Sequence, residues 1–75
     1  MLGKRIKELR TENDTTQKAL AEALGISFQA VSLWESDQAD PSVENIIKLA
    51  DFFDVSTDYL LGRETDFGTR LSNKK

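Results

Sequence analysis

Gly25 is the residue that most constrains what this chain can fold into. It follows an apolar stripe of Leu20, Ala21 and Leu24, and Ser27 opens a second helical pattern two residues later, with Ala30, Val31 and Trp34 facing inward. Thr16 suits the N-cap of the first segment and Ser27 that of the second, because a hydroxyl oxygen there accepts from a backbone N–H that the helix leaves unpaired. Glycine ends the first segment because a helix commonly closes on a left-handed residue. An eight-residue helix over residues 17–24, a tight Gly25-Ile26 turn and a second short helix form a helix-turn-helix. The residue types fit that geometry. Ala21 is small where the two helices cross, while Ile26, Val31 and Trp34 pin the second helix to the first.

The rest of the chain reads as helix too, with no alternating β-branched run. Leu2, Ile6 and Leu9 predict a first helix from about Leu2 to Glu12, broken by Asn13-Asp14-Thr15. Asp40 is extended before the Pro41 ring. Ser42 then caps a fourth helix in which Val43, Ile46, Ile47, Ala50 and Phe53 make the inner stripe. Ser56 caps a short fifth helix carrying Tyr59, Leu60 and Leu61, closed by Gly62. The expectation is an all-α fold, with a compact five-helix domain over residues 1–62 and a flexible tail over 63–75.

Composition excludes several function classes. The 75 residues contain no cysteine and no histidine, which removes disulfides, thiolate metal sites, the usual zinc ligand and the usual general base. With no glycine-rich phosphate loop and no clustered inward carboxylates, no nucleophile–base pair can be named. The chain is therefore not expected to be an enzyme, and no cofactor or metal is expected. No apolar run approaches the roughly 20 residues of a membrane helix, and no basic-then-apolar leader opens the chain. A soluble, cytoplasmic protein is expected, without a membrane partner.

The segments "GKRIKELRTEN", "TQKALAEALGIS", "QAVSLWES", "PSVENIIKLADFF" and "VSTDYLLGR" stand in an order and spacing that resemble the phage-repressor and Cro-like helix-turn-helix domains of bacteria and their phages. The resemblance covers about residues 3 to 62. It implies a lambda-repressor-like domain whose second and third helices read DNA, commonly as a homodimer on a pseudo-palindromic double-stranded operator. The recognition helix, about residues 28–36, would enter the major groove. Gln17 would meet a phosphate at the start of the second helix, where free N–H groups and the positive dipole end attract an anion. Ser27, Phe28, Gln29, Ser32 and Leu33 would form the groove face, with Gln38 just beyond it. The spacing agrees, since positions 28, 29, 32 and 33 lie opposite the stripe of 30, 31 and 34. The Gln29 amide can bond bidentately to adenine N6 and N7.

Arg10 and Glu35 form a second constellation. Arg10 lies four residues beyond Ile6 and Glu35 four beyond Val31, so both fall near inward faces, where an opposed pair satisfies itself through a charge-assisted, bidentate bond. The resemblance points to the same structural bridge, with a phosphate contact from Arg10 as an added role. Trp34 is expected in the core.

Three features pull against a DNA reader. Ten basic against thirteen acidic residues give a net charge of −3, although the basic residues gather in residues 1–12 and from Arg63 onward. Asp14 and Asp37 stand where the family often has glycine, and an aspartate can adopt the left-handed conformation those loops need. The Asp37 carboxylate, at the end of the recognition helix, would approach and repel the DNA backbone. Phe28 and Leu33 put apolar surface on the groove face. Either they touch thymine methyl groups, or this surface meets a protein partner. The leading expectation is a sequence-specific, repressor-like transcriptional regulator that dimerises around Asp54 to Leu61. The alternative is a protein-interaction module, antitoxin-like or anti-regulator, that uses the Phe28/Leu33 surface.

Overall fold

Hydroxyl side chains start four of the five described helices, and left-handed residues follow all five. The computed structural model describes residues 2–63, which form five helices: α1 (Leu2–Glu12), α2 (Gln17–Leu24), α3 (Phe28–Glu35), α4 (Val43–Phe53) and α5 (Thr57–Leu60). No strand occurs among the described residues. Thr16, Ser27, Ser42 and Ser56 each hold extended backbone and accept the N–H three residues ahead, at 2.9–3.2 Å. A cap of this kind stabilises a helix by about 1 kcal/mol.

The C-terminal ends repeat one device. Asp14, Gly25, Asp37, Asp54 and Gly62 have φ between 53° and 81°, and one of them follows each helix. At every end the left-handed residue and its successor fold their N–H groups back onto the last turn. After α2, Gly25 donates to Glu22 and Ile26 to Ala21; after α3, Asp37 donates to Trp34 and Gln38 to Leu33. This double bond satisfies carbonyls that a helix end would leave orphaned. Gly25 carries the sharpest demand, since Ser27 must already start the next helix.

Each helix contributes one side chain that is wholly excluded from solvent: Ile6, Leu20, Val31, Leu49 and Leu60. Leu9, Ala21, Leu24, Trp34, Ala50 and Phe53 pack around them. Helix α3 lies against both α1 and α2, while α4 packs on α2 and α5. The Lys48 ammonium donates to the Leu24 carbonyl (3.4 Å), and the Arg5 guanidinium sits 4.1 Å above the Tyr59 ring.

The stripe expected on α4 needs correction. Val43 is 75% exposed and Ile47 49%, whereas Leu49 is fully buried. The helix is rotated so that Ile46, Leu49, Ala50 and Phe53 face inward. Both sets satisfy a 3.6-residue period, and only the packing of α4 on α2 and α5 selects between them. On α5, Leu60 is core and Leu61 stays exposed. Arg63 remains tied to α5, its N–H donating to the Asp58 carbonyl (2.8 Å) and its Nε lying 3.4 Å from the Asp58 carboxylate. The rest of the expected tail, 64–75, lies outside the described residues. Among those described, no helix is long and apolar enough to cross a membrane.

Candidate nucleic-acid interface

Helix α3 buries Val31 and Trp34 and turns its opposite side to solvent. That outer side carries the predicted residues. Phe28 is 49% exposed and Leu33 41%, with Gln29 exposed and Ser32 half-buried between them. The Gln29 carboxamide makes no hydrogen bond among the described residues, so both of its functions face outward. Ser27 is exposed, and its oxygen is occupied as the α3 cap. Gln38 is exposed beyond the helix.

Beside this face lies a polar junction of three helices. Arg10 donates to Glu35 through two N–H groups, Nε to Oε2 at 2.6 Å and Nη2 to Oε1 at 3.0 Å. The pair is largely buried, with 15% of the Arg10 and 5% of the Glu35 side chain accessible. The Glu35 hydrogen bond raises the Arg10 pKa further above its ordinary value, so the guanidinium stays charged. A third N–H of Arg10 donates to the Thr15 carbonyl (2.9 Å), and the Thr15 N–H donates to the Arg10 carbonyl (2.9 Å). Three of the five N–H donors of Arg10 are thus committed inside the protein.

Gln17 does more than mark the start of α2. Its Nε2 donates to Glu35 Oε1 at 2.9 Å, a contact that inspection of the sequence missed. The backbone N–H groups of Gln17 and Lys18 have no partner among the described residues, because Thr16 serves the N–H of Ala19 and of Leu20. The start of α2 therefore offers two N–H donors and a half-buried carboxamide on one end of a helix.

Asp37 is left-handed, as expected, and also serves α1. Its Oδ1 accepts the Gly3 N–H at 3.1 Å, so this carboxylate caps the first turn of α1 and is partly committed there. Gly3 is itself a functional part of the frame that the sequence reading did not single out. A Cβ at Gly3 would collide with the Trp34 carbonyl oxygen and lie 2.7 Å from that of Glu35 and 2.9 Å from Asp37 Oδ1. Its burial in the first turn of a helix, against the last turn of α3, explains a glycine where the local pattern would accept alanine.

Comparison with known proteins bears on the fold that carries these residues. The helix-turn-helix family model matches residues 6–60. The transcriptional regulator ImmR of Bacillus subtilis (strain 168) is 46% identical over 63 residues, covering 84% of this chain and 50% of ImmR. The crystal structure of the c2 repressor of phage P22 in complex with a synthetic operator superposes with a TM-score of 0.76 at 35% identity, covering 80% of this chain and 91% of that one. The biofilm regulator SinR, solved in complex with DNA, gives a TM-score of 0.76 at 34% identity, covering 81% of this chain and 98% of that one. The chain spans about half the length of ImmR and 28% of the full C2 repressor of Salmonella phage P22. The match over most of the chain, and the superposition on those structures, place it: this chain belongs to the helix-turn-helix family.

Proposed function

We propose that this chain is the operator-reading domain of a repressor-like transcriptional regulator. One observation carries the reading: α3 presents Phe28, Gln29, Ser32 and Leu33 outward, on a fold it shares with a repressor solved on its operator. In this reading α3 enters the major groove and Gln29 reads a base edge, while Phe28 and Leu33 lie against apolar parts of the groove. The open N–H groups of Gln17 and Lys18 hold a phosphate, and Ser27 and Gln38 contact the backbone on either side of the helix. The remaining Arg10 donors are available to the same strand. The domain acts in the cytoplasm as a homodimer that meets around residues 54–61, where Leu61 stays exposed. Two half-sites then lie about one helical turn apart, roughly 34–36 Å.

Selection of bound sites from a random duplex pool tests this reading directly. The expected product is a two-fold related pair of short half-sites, with affinity that collapses as salt rises. Recovery of no sequence, together with no retardation of random duplex at low salt, would reject it. Sedimentation at high concentration, with and without the selected site, tests the dimer. A monomer under both conditions would remove that part.

A further inference from the structure

Glu35 is an unusual residue to find at the edge of a phosphate-binding surface. It is a carboxylate with 5% of its side chain accessible, placed next to the helix end proposed to receive an anion. Two relationships resolve the conflict. Both N–H bonds from Arg10 neutralise the carboxylate in the direction of α1. The same oxygen that accepts Arg10 Nη2, Oε1, also accepts Gln17 Nε2. A carboxylate only accepts, so this bond fixes which end of the Gln17 carboxamide points inward. The NH2 group has one hydrogen on Glu35, and its second hydrogen remains for an outside acceptor.

Resting on the proposed DNA-reading function, we infer that Glu35 is a positioning residue for the DNA backbone: it holds the Gln17 carboxamide so that its second N–H, with the backbone N–H groups of Gln17 and Lys18, forms one preorganised phosphate cradle, while Arg10 cancels the charge that would otherwise repel the phosphate. A glutamine at the first position of a helix has many rotamers, and most of them miss the anion. Fixing the side chain before binding removes that ordering cost from the association step. The last residue of the reading helix, Glu35, is thereby linked to the phosphate contact made from α2, so that groove entry and backbone grip share one side chain.

The test is a double-mutant cycle on affinity for a short random-sequence duplex at low salt, at a temperature where circular dichroism shows every variant folded. Gln17→Ala is expected to weaken binding about tenfold on all sequences alike, as loss of one hydrogen bond to a charged group does. Glu35→Gln is expected to weaken it comparably, and the double variant no further than the worse single one. Losses that multiply would overturn the inference and leave the DNA-reading function standing. No retardation of the unsubstituted protein would overturn both. Nuclear magnetic resonance of the Gln17 side-chain amide in the unsubstituted protein covers the case in which Glu35→Gln unfolds. One amide proton should be shifted downfield, exchange slowly and stay in place as duplex is added, while the other moves. Two protons at the positions of a solvated glutamine would refute the inference.

Discussion

The guanidinium of Arg10 grips the carboxylate of Glu35 through two N–H···O bonds, 2.6 and 3.0 Å long, joining α1 to the last residue of α3. A pair so enclosed adds little over an apolar substitute, but removing one partner leaves the other charged and buried. Glu35→Ala is expected to destabilise the domain by about 3 kcal/mol, well above an ordinary surface change. Replacing both residues by methionine should recover most of the loss. Chemical denaturation of the unsubstituted protein and these two variants checks this, and an unchanged midpoint for Glu35→Ala would mean that the pair contributes nothing to the fold.

Gly3→Ala sets two effects against each other. Alanine favours a helix over glycine by about 1 kcal/mol. The added methyl would meet the backbone carbonyls of Trp34 and Glu35, which move only if α1 moves away from α3. Forcing a methyl into a closed contact costs typically about 1–3 kcal/mol, so packing is expected to win. The melting temperature should fall. A rise would show that the two helices separate freely.

The fold was legible wherever a local rule acts on a local sequence. Thr16, Ser27, Ser42 and Ser56 mark helix starts because their hydroxyls satisfy nearby N–H groups, and each is a cap in the structure. Asp14 and Asp37 are legible as left-handed residues, whereas Asp54, with φ in the same range, is not. The Arg10–Glu35 contact followed from two charges on inward faces. What escaped depends on distant neighbours. Leu49 against Ile47 is a choice of rotation about α4 that its own period does not make. The bonds from Gln17 to Glu35 and from Gly3 to Asp37 join residues 18 and 34 positions apart. No spacing along one helix encodes them.

Asp14 and Asp37 share a backbone conformation, with φ 53° and 62°, but not an environment. The Asp14 side chain makes no hydrogen bond among the described residues, while Asp37 accepts the Gly3 N–H. Asp14→Gly relieves left-handed strain at some cost in unfolded-chain entropy and should stabilise by about 0.5 kcal/mol. Asp37→Gly gains the same relief and loses a helix cap, so it should end about 1 kcal/mol less stable than Asp14→Gly. Unfolding free energies measured side by side decide the point. Equal gains would mean that the Gly3 contact has no energetic weight.

The outer face of α3 leads to a prediction about operator sequence. Gln29 is exposed with both amide functions unengaged, and in the groove it should specify an adenine by bonding N6 and N7 together. Phe28 and Leu33 neither donate nor accept, so their base-specific contact is with the thymine methyl group. Their exposure, 49% and 41%, leaves enough apolar surface for that contact. Each half-site is therefore expected to hold an adenine with thymines within a few steps. Gln29→Ala should cost roughly 1–3 kcal/mol on the selected site and relax the choice at one base pair. Leu33→Ala should cost less and relax a thymine. Replacing each thymine by uracil deletes only the methyl, and binding should weaken for the unsubstituted protein and less so for Leu33→Ala, which keeps only the Phe28 contact. Full affinity of the unsubstituted protein for the uracil site would show that Phe28 and Leu33 exclude water without reading sequence. The adenine specified by Gln29 would be unaffected by that result, because uracil and thymine pair with it alike.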